Sequence, residues 1–319
     1  MTSKKPTVVG LFAGVGGIEL GFKKAGFEIQ LGNEIDPYAS ATYRMNNGHQ
    51  LVEGDIASLR SDQLPHDFTV LSGGFPCQPF SVAGYRQGFE DERGNVFWEI
   101  DRLIRETKPE VVFLENVKNL RTHDGGNTFR VIREALELQG YTVFDEVLNA
   151  KHFGNIPQNR ERIFIVAFRS SKAATNFKWP KPVKLTNPLE KFIDFESKLE
   201  EKYYYGPERP FFDLLKKEIT HKGTIYQWRR QYVRANKSGD CPTLTANMGM
   251  GGHNVPLVLT RHGIRKLTPK ECFALMGFDR IKFPAGMAES RLYKQAGNAV
   301  VVPVITAIAK RIRIALESS

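Results

Sequence analysis

A thiol, a carboxyl group and two guanidiniums stand at places in this sequence where each could do chemistry. Cys77 lies between Pro76 and Pro79 in GGFPCQPFS, so its backbone is held stiffly just past an apolar run. Once ionised, a thiol is a strong nucleophile. Glu115 closes the run VVFLE, where a strand leaves the core, and a carboxyl with that apolar support can hold its proton and donate it. Arg160 and Arg162 alternate around Glu161 in QNRER, an arrangement that puts both on one face of an entering strand, suited to a carbonyl or a phosphate. Each residue also has a plainer reading. Cys77 would be a small apolar residue in a tight loop, and Glu115 a buried partner for a nearby arginine.

A second set of residues suggests a ligand site. In FAGVGGIELGF, Gly14, Gly16 and Gly17 let the backbone pass close to a ligand and enter a helix. Glu19 stands where the dinucleotide fingerprint takes Gly or Ala. An acid there would repel a pyrophosphate, so the loop is expected to serve a ligand without phosphates. Glu34 follows Gly14 at the usual distance of an acid that accepts from ribose hydroxyls, and Asp55 with Ile56 suits an adenine ring. Each acid alone also fits a helix cap or a surface charge; together they suggest an adenosine-containing ligand.

These residues need a frame, and the alternation of apolar runs with helical stretches supplies one. PTVVGLFAG, FEIQLGNE, FTVLSGG and PEVVFLEN read as buried strands, with helices over 18–25, 95–106 and 128–139 between or after them; YTVFDEVLNA and RIFIVAFR add two strands. The pattern predicts an α/β fold, a doubly wound and mostly parallel sheet whose ligands bind at the carboxyl ends of the strands. After the Pro- and Lys-rich NFKWPKPVKLTNP the texture becomes irregular. The expected domains are 1–184, a smaller irregular one over 185–269, and a segment 270–319 that returns to the first, opening on a helix with Thr268 as N-cap, Pro269 at its first position and Glu271 at its third.

Composition narrows the class. The chain has 319 residues, 41% hydrophobic and 25% charged, and reads as globular. No apolar run reaches the roughly 18 residues that span a bilayer, so a cytoplasmic protein without membrane partners is expected. Cys77, Cys241 and Cys272 are too far apart for a disulfide framework or a close-spaced zinc pair, and no metal is expected. The net charge is +10, and the segment 220–270 holds nine Lys or Arg against one acid, Asp240. That is the footprint of a polyanion, read here as nucleic acid.

The blocks FAGVGG, GFPCQPFS, ENVKN, QNRER and QAGNAV, in this order, resemble those of DNA (cytosine-5)-methyltransferases of the bacterial restriction-modification type. The resemblance implies a Rossmann-like fold dependent on S-adenosyl-L-methionine, with S-adenosyl-L-homocysteine as product. It implies Cys77 as the nucleophile at cytosine C6, Glu115 as the acid at N3, Arg162 at O2 and Arg160 on the thiol side, the two arginines being interchangeable at this level. Donor contacts would come from Phe12, Gly14, Gly17, Glu34, Asp55, Ile56, Pro76, Asn298 and Val300. Ala299 replaces a serine found in many relatives. The target cytosine would leave the duplex, with Ser81 and Arg93 in a loop that closes over it. Residues 185–269 would be the target-recognition domain, with Arg229, Arg230, Arg234, Lys237, Thr243 and Leu244 on double-stranded DNA. A monomer is implied, with a restriction endonuclease as a genetic rather than physical partner. An RNA (tRNA) cytosine-5 methyltransferase and a noncatalytic DNA-binding regulator are the alternatives. A nicotinamide dehydrogenase fits poorly because of Glu19, and a zinc deaminase because Phe80 stands where its second cysteine would be.

Overall fold

The computed structural model describes residues 5–76, 96–229, 232–236, 238–250 and 255–319. The chain divides into two compact units, the first made of 1–148, 161–181 and 302–319, the second of 149–160 and 182–301.

The first unit is built on a seven-stranded sheet of β1 (Thr7–Leu11), β2 (Glu28–Glu34), β3 (Gln50–Glu53), β4 (Val70–Gly74), β5 (Val111–Val117), β6 (Thr142–Asn149) and β8 (Glu161–Phe168), in the order β3-β2-β1-β4-β5-β8-β6. The two-residue β7 (Gln158–Asn159) belongs to the second unit. Strands β3, β2, β1, β4 and β5 run parallel, and β8 is antiparallel to β5. Strands covered on both faces need near-continuous apolar sequence, and all five residues of β1 and the first six of β5 are buried. On one face, Val9, Leu11, Leu71, Val112 and Leu114 form a core with Phe97, Ile100 and Leu103 of the helix Val96–Thr107 and Val131, Ile132 and Leu136 of the helix Asn127–Leu138. Phe113 alternates to the other face and meets Phe22 of the helix Gly17–Lys24 edge-on, with ring centroids 5.2 Å apart. The C-terminal helix Val302–Glu317, within the segment 270–319 expected to return here, packs beside it. Helices therefore cover both faces of the mostly parallel sheet.

The second unit has an antiparallel sheet of β9 (Ile225–Arg229), β10 (Tyr232–Asn236), β12 (Leu257–Thr260) and β13 (Gly263–Lys266), ordered β10-β9-β12-β13, over a small core that includes Leu215, Ile219, Tyr226 and Leu257. Its two-residue β11 (Cys241–Pro242) pairs in parallel with β7.

This division differs from the expected one at three places. The unit boundary falls at 181/182 rather than 184/185, residues 149–160 join the second unit, and 270–301 remain there instead of returning with the tail. The cause is polar. Thr268 and Glu271 form the anticipated capping box, but Glu271 also takes the guanidinium of buried Arg265 at 2.6 Å. Tyr293 donates to the Leu267 carbonyl at 2.6 Å, and Gln158 Nε2 to that of Leu275 at 2.8 Å. Only Val302–Glu317 goes back to the first unit.

Candidate active site

Strand β4 ends at Gly74, in register with Glu115 on β5. Glu115 is buried, and its Oε2 lies 3.2 Å from where a Cβ on Gly74 would stand. Buried Asn116 donates from Nδ2 to the Phe75 carbonyl at 3.0 Å, tying β5 to the start of the turn that follows β4. From β8, Arg162 places Nε 3.1 Å from Glu115 Oε1 and donates from Nη1 to the Glu161 carbonyl at 2.8 Å. Glu115 thus has both a lateral clamp and a strand neighbour that leads, three residues on, to Cys77. Cys77, Ser81, Arg93, Arg230 and Lys237 lie outside the described residues.

Arg160 departs from expectation. Strand β8 begins at Glu161, so Arg160 precedes it and falls in the second unit instead of sharing a face with Arg162. It is 3% exposed and donates to the carbonyls of Leu244 at 2.7 Å, Gly297 at 3.0 Å and Ala299 at 2.7 Å. Its guanidinium is committed to holding three chain segments together.

The glycine loop follows β1. Phe12 (φ 52), Gly14 (φ 56) and Gly16 (φ 91) are all left-handed, an arrangement costly for the phenylalanine and easy for the glycines. Glu34 braces it: Oε2 accepts from the Gly14 N–H at 2.7 Å, and Oε1 from the N–H groups of Ile35 and Asp36 at 3.0 and 2.8 Å. Nothing stands within 4 Å of a Cβ built on Gly14, so the loop borders open space. Ile35 and Tyr38, next in sequence, are 60% and 44% exposed, an apolar platform beside the brace. Asp55 is exposed and caps a 3-10 turn through the Ala57 N–H at 2.9 Å, above buried Ile56. Pro76 is exposed and Gly17 buried at the first turn of its helix. Residues bracing an open glycine loop with an acid, a second acid and an apolar platform fit an adenosine-bearing donor. Asn298 ends the helix Glu289–Asn298 in the second unit and is exposed, while Val300 is buried.

The basic segment proves to be only partly a surface. Arg265 is fully buried against Glu271, Lys266 pairs with Glu289 at 3.7 Å, and Arg261 with Glu196 at 3.8 Å. Those acids all lie outside 220–270. Among the described residues no carboxylate pairs with Arg229 or Arg234. They lie on the β9–β10 ribbon, whose cross-strand pairs sort its two faces. Trp228 with Val233 and Tyr226 with Ala235 face the core, whereas Gln227 with Arg234 and Arg229 with Tyr232 face outward. Gln227, Arg229, Arg234, Asn236, Thr243 and Asn247 line a polar cleft of about 380 Å³. Leu244 points inward, 1% exposed, with its N–H on Gln158 Oε1 at 3.2 Å, and Thr243 donates to the Asn159 carbonyl at 2.6 Å; the pair anchors the cleft wall.

Residues 7–313 match the family model for C-5 cytosine-specific DNA methylases. The chain belongs to this family. The methylase is 55% identical over 308 residues to the Type II methyltransferase M.Bsp6I of Bacillus sp. (strain RFL6), covering 96% of this chain and 98% of that one. It is 38% identical over 318 residues to the Type II methyltransferase M.NlaX of Neisseria lactamica, covering 98% and 97%. Its fold matches that of a Spodoptera frugiperda DNMT2 mutant with a TM-score of 0.73 at 19% identity, over 97% of this chain and 100% of the other. It is a DNA cytosine-5 methyltransferase.

Sequence reasoning passed over several residues of the methylase that the structure brings forward. Asn116 stood inside the ENVKN block without a separate role, and Ile35, Tyr38 and Gln227 carried no signal beyond adjacency to named residues. Cys241 and Cys272 are buried, and burial pushes both thiols well up, away from reactivity. Among the described residues no His, Cys, Asp and Glu group is placed to hold a metal, and no helix is long and apolar enough to cross a membrane.

Proposed function

We propose that the methylase moves the methyl group of S-adenosyl-L-methionine to C5 of a cytosine turned out of duplex DNA, through a covalent bond between Cys77 and C6. The observation that carries this reading is the Glu115–Arg162 pair, 3.1 Å apart, next to the strand end that runs into Pro76 and Cys77. Cytosine C5 is a weak nucleophile. Addition of the Cys77 thiolate at C6 pushes electrons into the ring toward N3 and O2, and makes C5 attack. As Arg162 turns from Glu115 to hold O2, Glu115 would take up a proton from solvent and deliver it to N3 while charge builds there. The donor supplies an electrophilic methyl group. Glu34 keeps the glycine loop open for its adenosine, with Asp55, Ile56 and Pro76 around the base and Phe12, Gly14 and Gly17 under the chain. By the family resemblance, Asn298 and Val300 would be further donor contacts. Loss of the C5 proton to solvent, expulsion of the Cys77 thiolate and return of the N3 proton to Glu115 restore the aromatic ring.

For the nucleic acid, the outward face of the β10–β9 edge of the second sheet would meet duplex DNA, with Arg229 and Arg234 suited to guanine edges or phosphates and Gln227 to adenine. Ser81, Arg93, Arg230 and Lys237 add further DNA contacts in this reading. The Type II names of the relatives support a place in a restriction-modification system.

Duplex DNA carrying 5-fluorocytosine tests the mechanism, because fluorine cannot leave C5 as the proton does. With donor present, the protein is expected to form a complex stable to denaturant whose mass equals protein plus DNA plus one methyl, with the bond on Cys77. No covalent complex with any 5-fluorocytosine duplex, while donor and DNA both bind, would sink it.

A further inference from the structure

Glu19 lies outside every role above, and its setting is unusual. It is the third residue of the helix Gly17–Lys24 and is 1% exposed. Its carboxyl folds back over β1: a Cβ on Gly10 would sit 2.1 Å from Glu19 Oε1, so the missing side chain of Gly10 is the space the carboxyl occupies. Both carboxyl oxygens are buried, and neither has a hydrogen-bond partner on another residue among those described. Gly10 precedes Leu11 and Phe12, where β1 turns into the glycine loop. A buried acid has thus been placed directly behind that loop at the cost of its own hydrogen bonds.

The groups around it do not neutralise it. Glu34 on β2 is itself acidic and adds to the cost of ionising it. Tyr43, from the helix Pro37–Asn46, has its phenol on His49 Nε2. Burial pushes His49 down to about 4, with Lys23 adding to the effect, so His49 is uncharged at neutral pH. Arg313, from the helix Val302–Glu317, reaches the Ala25 carbonyl at the far end of Glu19's helix. Burial raises the Glu19 carboxyl to about 8, outweighing the opposite pull of Glu19's own backbone N–H, and Glu34 adds a smaller push upward.

A neutral acid behind a ligand loop makes sense if the ligand brings a positive charge. The start of a helix is electropositive and repels a cation, unless an acid in its first turn offsets the dipole. The donor of the proposed reaction carries a sulfonium that its product lacks. We propose that Glu19 is a counter-charge for the sulfonium: it keeps its proton in the free protein, releases it to solvent when the donor binds, and so favours donor over product. This rests on the proposed use of S-adenosyl-L-methionine, and it gives the thioether product a weaker hold on the same loop.

Calorimetry of donor and product binding at pH 6.5, in two buffers of different ionisation enthalpy, counts the protons. The wild-type protein is expected to release between half a proton and one proton with S-adenosyl-L-methionine and fewer than 0.2 with S-adenosyl-L-homocysteine. Its preference for donor over product should rise with pH between about 5.5 and 7, by up to tenfold per unit. Glu19→Gln should release none and lose about tenfold in donor affinity while holding the product as before. If the wild type binds the donor with no proton released, or the variant releases as many as the wild type, the proposal fails. If neither compound binds the folded protein, the donor assignment itself has failed, which is a different result from binding without proton release. The wild-type measurements stand even if Glu19→Gln does not fold.

Discussion

Arg162 reaches Glu115 diagonally across the antiparallel β5–β8 ladder, Nε to Oε1 at 3.1 Å, while Arg160, two residues earlier, donates to three main-chain carbonyls in the other unit. Two arginines in one short block therefore do different work. Arg162→Lys keeps a charge but loses the planar fork, so methyl transfer should fall by about 10–100-fold with the urea midpoint nearly unchanged. A large loss of stability with activity per folded molecule intact would contradict the assigned role.

Arg160→Lys should behave the other way. One ammonium cannot serve three carbonyls from Leu244, Gly297 and Ala299, and each buried acceptor left over costs about 1–3 kcal/mol. Equilibrium urea unfolding should show a loss of about 2–4 kcal/mol. A loss under about 0.5 kcal/mol would mean that those contacts do not hold the unit together.

The strands legible in the sequence were those buried on both faces, because VVGL and VVFL leave an unbroken apolar signature. Strand β3, QLVE at the sheet's edge, has only two apolar residues and left none. The unit boundaries were hidden for another reason. Arg160 bonds Leu244, 84 residues on, and no local pattern announces such a pairing. In sequence Arg265 reads as one more charge on a basic face, because its acid, Glu271, stands just past the basic segment 220–270. In the candidate site, Glu115 stands out in the sequence by its place at the end of an apolar run and Glu34 by its distance from the glycines. The clamp by Arg162 and the brace on Gly14 needed coordinates.

The ribbon arginines carry a prediction about salt. Replacing Arg229 or Arg234 by Ala should weaken binding to duplex DNA. Where the lost contact is to a phosphate, the slope of log affinity against log salt should shrink by about 1 for each. Arg261→Ala, already paired with Glu196, should change that slope less. Equal effects from all three would argue against the outward ribbon face as the contact surface.

Gly10 and Glu19 should be coupled in stability. Gly10→Ala forces a methyl into the carboxyl's place and should cost about 1–3 kcal/mol. In a Glu19→Ala background the space is open, and the same change should cost much less. Additive losses in a double-mutant cycle would show that the two do not compete for one volume.

Glu19 also predicts how stability varies with pH. Its proton stays bound up to about 8 when folded and is lost near the ordinary 4.5 when unfolded. The folded state binds more protons in between, so this contribution is full below 4.5 and declines as pH rises through about 8. The slope is at most about 1.4 kcal/mol per pH unit. Glu19→Gln should flatten the profile in that window, and an unchanged profile in urea titrations at several pH values would show that Glu19 ionises freely.

Transfer of labelled methyl from S-adenosyl-L-methionine to unmethylated duplex DNA, followed by digestion to nucleosides, tests the central claim most directly. The wild-type protein should place the label on cytosine C5 at one recurring short sequence; Cys77→Ser should place none, and Glu115→Gln should be slowed by at least about 100-fold. Label on an exocyclic amine, or undiminished C5 labelling by Cys77→Ser, would contradict a mechanism that runs through the thiol.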